Sequence, residues 1–204
     1  SRGLVGSEMC IRDRNYTHPE MPKDCEEGII KGMYVLSDNE SYDVRLLGSG
    51  AILREALKAK DILFKFKIKA QVWSVTSFNL LRKDGMEIER YNQLNPSGKQ
   101  KLTYVEECFS DSNVPVIAAT DYMRSYAEQI RPYIHSSYTT LGTDGYGRSD
   151  SRQTLRDFFE VDSKSIARAA IYALYKNDKI DKNQIENYYK ELGIDSNKPN
   201  PWEI

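Results

Sequence analysis

Residues 115–120 read PVIAAT, a continuous apolar run in which no position alternates towards water. A strand of this kind is buried on both faces, which is typical of parallel sheets layered between helices. The surrounding pattern agrees. Residues 43–48 (DVRLLG) and Ala70–Val75 read as further strands, and 137–142 as one more. Helical spacing marks 51–66, where Ile52, Leu53, Ala56, Leu57 and Ala59 suit one-sided burial. It also marks Phe78–Leu94, interrupted at Gly85, and 103–110.

Residues 122–131 form a helix capped by Asp121, and 151–159 another. Two more helices close the chain. One follows Ser163 as its cap, with Ile166, Ala169, Ala170, Ala173 and Leu174 as its stripe. The second is Lys182–Leu192, capped by Asp181 and stopped by Gly193. Near the start, 25–36 puts Ile29, Ile30, Met33 and Leu36 on one helical face behind an Asp24 cap. Strands alternating with helices define an α/β fold, a three-layer α/β/α sandwich on a mostly parallel sheet.

Composition excludes several function classes. Twenty-nine basic against thirty acidic residues in 204 leave a formal charge of −1. That is no electrostatic footprint for nucleic acid or an anionic membrane. No apolar run reaches the ~18–20 residues of a membrane span. Cys10, Cys25 and Cys108 form no C-x-x-C pair, and an odd count cannot close a full set of internal disulfides. With only His18 and His135 besides, a zinc site is not expected, and a reducing, cytoplasmic setting suits the thiols. Residues 1–14 (SRGLVGSEMCIRDR) show no periodicity and resemble a translated sequencing-adapter read-through. They are expected to be a non-native or disordered tail, with one domain over 15–204.

Two loops could carry chemistry. Gly48-Ser49-Gly50 sits between strand and helix, but Leu53 breaks the G-x-G-x-x-G fingerprint, so a tight turn is favoured over a phosphate cradle. The loop 142–150 (GTDGYGRSD) is the densest polar constellation. It lies at the carboxyl edge of the sheet, where open α/β sheets bind partners or ligands. Asp144, Gly145, Gly147, Arg148, Ser149 and Asp150 are the candidate interface residues, with Asp144, Arg148 and Asp150 forming an ionic network. Docking of another domain or subunit is the favoured role, ahead of a structural turn or a small-anion contact through Arg148. Asp121 reads as a cap rather than an acid–base group, Trp73 and Phe78 as core or interface, and His135 as a solvated turn residue. No catalytic, cofactor-binding or metal-binding set assembles from these residues. A stand-alone Rossmann-like module for a small ligand is the alternative.

Longer strings carry a resemblance. They are EEGIIKGMY (26–34), LLGSGAILRE (46–55), VWSVTSFNLLRKDGMEIERYNQLNP (72–96), AATDYMRSYAEQIRPYI (118–134) and LGTDGYGRSDSRQTLRDFFEVD (141–162). With NYTHPEMP (15–22) and GIDSNKPNP (193–201), they resemble the C-terminal domain of the homodimeric pyruvate dehydrogenase (acetyl-transferring) family, the first component of the pyruvate dehydrogenase complex. The resemblance implies a transketolase C-terminal-like fold. It implies an enzyme that decarboxylates pyruvate with thiamine diphosphate and magnesium and passes the acetyl group to lipoyl-bearing dihydrolipoyl acetyltransferase. The cofactor ligands of that family lie in the preceding N-terminal and middle domains, so this chain would be inactive alone. Its role would be to pack against those domains and the second subunit. In that fold an antiparallel strand comes first. The adapter-like residues stand in its place, which predicts a lost first strand and an unpaired edge at Ala70–Val75.

Overall fold

The computed structural model of the chain describes residues 19–37, 41–110 and 113–203. The tail expected over 1–14 lies outside the described residues. Strands β1 (Met33–Ser37), β2 (Val44–Ser49), β3 (Ala70–Val75), β4 (Val116–Ala119) and β5 (Tyr138–Leu141) form one sheet in the order β1-β3-β2-β4-β5. Strands β2 to β5 are mutually parallel, and β1 runs antiparallel to β3. Helices α1 (Glu26–Lys31), α2 (Leu53–Lys65), α3 (Phe78–Leu94) and α4 (Tyr104–Cys108) occupy the first half. Helices α5 (Arg124–Glu128), α6 (Arg152–Phe158), α7 (Ser163–Lys176) and α8 (Lys182–Leu192) follow.

The strand period of two sorts side chains into two cores. Leu46 stands opposite Val72 and Ile117, and all three join one apolar cluster with α2 and α7. Leu47 stands opposite Trp73 and Ala118, and these enter a second cluster with Phe78, Leu81, Val105 and Ala127 from α3, α4 and α5. PVIAAT lacks alternation because β4 serves both layers. Chain direction places the helices. From β2 the chain steps outwards to β3 through α2, then returns past β2 to β4 and on to β5. Right-handed crossovers of opposite sense put α2 on one face and α3 to α5 on the other. The sandwich is the expected one.

Its first strand is not where the sequence placed it, nor is it missing. The predicted helix over 25–36 ends at Lys31, because Gly32 turns left-handed at φ 116° and donates to the Gly28 carbonyl. Met33, Tyr34 and Val35 then pair with Val75, Ser74 and Trp73. β3 is therefore an interior strand with partners on both sides, and the expectation of a lost strand and an open Ala70–Val75 edge is overturned. The apolar spacing misled because Met33 and Leu36 fit a helical stripe as well as a strand between two cores, Met33 in one and Leu36 against the other. Tyr104 Oη donates to the Met33 carbonyl at 3.0 Å and ties β1 to α4.

The caps show where helices begin. Ser77 Oγ accepts from the Leu80 N–H, and Thr103 with Glu106 forms a reciprocal capping box. Asp181 with Gln184 forms another, and Gly193 ends α8 as expected. Asp162, one residue before the expected Ser163, accepts from the Ser165 N–H to start α7. Asp24 is not a cap, since α1 begins after Cys25 without a side-chain cap. α3 is continuous through Gly85, whose missing side chain leaves room for the Tyr133 ring. A buried ion pair crosses the α2 layer. Glu55 Oε1 meets Arg156 Nη1 at 2.9 Å, and Glu55 Oε2 accepts the Ser163 N–H at 3.1 Å. One carboxylate thus holds α2, α6 and the start of α7 together.

Candidate docking site at the carboxyl edge of the sheet

The loops after β2, β4 and β5 meet at one edge because these strands are parallel. Between β2 and β4 the chain reverses its direction of travel across the sheet, which is where open α/β sheets leave a crevice. A Cβ on Gly48 would stand 2.6 Å from the Leu53 Cα, so glycine here permits the close approach of the start of α2 to β2. Gly50, at φ 55°, faces the Asp121 carboxylate. The tight-turn reading of 48–50 fits this packing. Asp121 does not cap a helix, because α5 starts only at Arg124 and has no side-chain cap.

The loop after β5 is anchored at its base and exposed at its tip. The Thr143 N–H donates to the Tyr122 carbonyl at 2.9 Å, and the Thr143 hydroxyl to the Asp121 carbonyl at 2.9 Å. Asp144 Oδ1 accepts the Arg124 N–H at 3.1 Å. Its Oδ2 lies 3.2 Å from Arg124 Nε, an ion-pair distance without hydrogen-bond alignment. The Arg124 guanidinium also lies over the Trp202 ring at 5.0 Å. Gly145 packs near the backbone of Pro201 and Trp202. Arg148 covers the Phe158 ring at 4.3 Å, and Asp150 accepts from the Ser151 N–H beside the cap of α6.

The expected ionic network of Asp144, Arg148 and Asp150 is therefore not formed. Asp144 has a partner from α5, and Arg148 spends its charge on an aromatic face. Gly145, Gly147, Arg148, Ser149 and Asp150 are exposed. Three other expectations hold. Trp73 and Phe78 are buried core residues, and His135 is an exposed turn residue, paired with Glu106 at 2.9 Å.

Sequence reading missed what surrounds the loop. Tyr146 is 85% exposed, and Tyr122, Met123, Tyr126 and Trp202 are also exposed at the same edge. Tyr122 and Tyr126 rings touch at 5.2 Å. These side chains and the loop form one apolar and aromatic rim, of the kind that marks an interaction surface. The only available signal was the density of large side chains in the string DYMRSY (121–126) and the late Trp202. Among the described residues no group of three or more His, Cys, Asp or Glu could hold a metal ion. No catalytic step is assigned to these residues. No helix among the described residues is long and apolar enough to cross a membrane.

Comparison with known proteins defines the class. A family profile described as the transketolase-like TK C-terminal domain matches residues 32–162, and the chain belongs to that family. Solved transketolases share the fold. The enzyme from Leishmania mexicana superposes with a TM-score of 0.52 at 19% identity, over 74% of this chain and 19% of its own. A transketolase variant from Pichia stipitis gives 0.51 at 21% identity, over the same shares.

Closer relatives narrow the class. The chain is 50% identical over 196 residues to the "Pyruvate dehydrogenase E1 component" of Pseudomonas aeruginosa, covering 94% of this chain. Proteins of the same name from Cupriavidus necator and Escherichia coli are 40% and 44% identical over 96% and 93% of it. The chain spans 22% of the length of each of these relatives.

Proposed function

We propose that this chain is the C-terminal domain of a pyruvate dehydrogenase (acetyl-transferring) of the homodimeric type. The observation that carries the reading is 50% identity over nearly the whole chain to one such component. On this reading the complete enzyme decarboxylates pyruvate with thiamine diphosphate and magnesium held by its N-terminal and middle domains. It passes the acetyl group to the lipoyl-bearing dihydrolipoyl acetyltransferase. This domain supplies packing surface to those domains and to the second subunit, and is inactive alone. The free thiols of Cys25 and Cys108 suit a reducing, cytoplasmic setting.

The rim at the carboxyl edge is the docking surface. Tyr146 and its neighbours expose aromatic area that a second surface could cover, while Asp144 and Arg148 are held by contacts within the domain. Tyr146→Ser in the complete enzyme should weaken dimer or domain assembly, read by sedimentation velocity, with this domain's own melting unchanged. Unaltered assembly would remove the loop from the interface. The chain alone should show no calorimetric binding of thiamine diphosphate with magnesium. Micromolar binding would overturn the assignment of the cofactor site to the other domains.

A further inference from the structure

The solvent face of α3 bears a groove that the carboxyl-edge rim does not include. Asn79, Arg82, Lys83, Met86, Glu87 and Arg90 line it along the helix, with Gln129 from the end of α5 as its far wall, around a cavity of about 460 Å³. Position 79, the pair 82 and 83, and positions 86 and 90 follow at helical spacings of three or four, so they form one continuous stripe. Met86, more than half exposed, lies on that stripe between Arg82 and Arg90.

Charge is segregated on this helix. α3 carries three cations and three carboxylates, yet the groove receives all the cations and only Glu87. Glu87 stands 3.8 Å from Lys83, while Asp84 is turned away to accept the Tyr104 N–H at 2.7 Å. Among the described residues Arg82 and Arg90 have no carboxylate within ion-pair distance. The result is a positive rim over an apolar floor on a chain whose overall charge is near zero.

We infer that this groove docks an acidic, amphipathic polypeptide segment of a partner. Carboxylates of that segment would meet Arg82, Lys83 and Arg90, and an apolar side chain would cover Met86. Charge complementarity selects the sign of the partner and the direction of steering. The stripe matches the way an amphipathic segment lies along a groove, with anchors a turn apart. A polynucleotide fits less well. Among the described residues the groove lining holds no aromatic side chain on which a base could stack.

Fluorescence anisotropy on the 204-residue chain tests the inference, with a labelled peptide of Glu-Glu-Leu repeats as probe. A peptide of Lys-Lys-Leu repeats and a labelled single-stranded oligonucleotide serve as comparisons. The acidic peptide should bind saturably, and R82E with R90E should weaken it about tenfold or more. Both arginines are surface residues, and circular dichroism of the double variant verifies its fold. M86Q should weaken binding without changing its salt dependence, which separates the apolar floor from the charged rim. Undiminished binding to R82E/R90E would overturn the inference. So would equal binding of the basic peptide, or tighter binding of the oligonucleotide.

Discussion

Gly85 lies mid-helix in α3, where glycine costs about 1 kcal/mol relative to alanine. Substitution by alanine should therefore stabilise an isolated helix. In this fold it should do the opposite. A Cβ at Gly85 would stand 2.1 Å from Tyr133 Cζ, 2.2 Å from Cε2 and 2.6 Å from Oη. Ordinary carbon contacts lie near 3.5–4.0 Å, so the ring must retreat by roughly 1.5 Å. Tyr133 is only 5% exposed and packs in the cluster with Ile130 and Ile134, which leaves it little room.

Overpacking of this kind costs about 1–3 kcal/mol, occasionally more, and outweighs the propensity gain. Set against that gain, the net loss for Gly85→Ala should be up to ~2 kcal/mol. For a chain of this size that lowers Tm by up to roughly 8 °C. Differential scanning calorimetry of Gly85→Ala, Tyr133→Leu and the double variant measures the coupling. Leucine lacks the three Tyr133 atoms that clash, so on the Tyr133→Leu background Gly85→Ala should become neutral or stabilising by up to ~1 kcal/mol. A raised Tm in the single variant, or an undiminished loss in the double, would refute the packing argument.

Other outcomes follow from features already described. Glu55→Ala strands Arg156 in the interior and leaves the Ser163 N–H unpaired, so urea unfolding should show a loss of about 3–5 kcal/mol; a loss below about 1 kcal/mol would mean that water reaches the pair. The Arg168 guanidinium, hydrogen-bonded to both Glu160 oxygens, holds that carboxyl below its usual range against the opposing effect of burial. A depressed folded pKa gives stability that is present above the unfolded value of about 4.3 and is lost as pH falls through the folded one. Thermal melts between about pH 6 and pH 3 should fall less steeply for Glu160→Gln than for the parent, and parallel curves would count against the pair. Amide hydrogen exchange at Trp73 and Val75 should be as slow as at Val116–Ala119, since β3 is paired on both sides. Fast exchange there would restore the open edge that the sequence suggested.

Much of this fold is legible in the sequence, for physical reasons specific to each element. PVIAAT announces a doubly buried strand, and the carboxylate at Asp181 marks a helix start because few other side chains satisfy those N–H groups. Reading failed where two periods coincide. Residues 25–36 satisfy a helical stripe, and only the left-handed turn at Gly32 divides them into helix and strand. Gly85 misled for a different reason. A glycine kept for the approach of a ring some fifty residues away looks, in one dimension, like a helix breaker. The loop after β5 was found from its polar density, but its exposed rim draws on Tyr122, Tyr126 and Trp202, which only the sheet topology brings together.

The placement of α2 against α7 sets a schedule for synthesis. α2 is complete by Lys65, yet the helix it packs on begins at Ser163. During translation the face begun by Leu46 and Val72 therefore waits, partly bare, for about a hundred residues. At ~5–20 residues per second that interval lasts several seconds. A nascent chain with such an uncovered sheet face is a natural client for chaperones at the ribosome exit. It can close only when α7 has emerged.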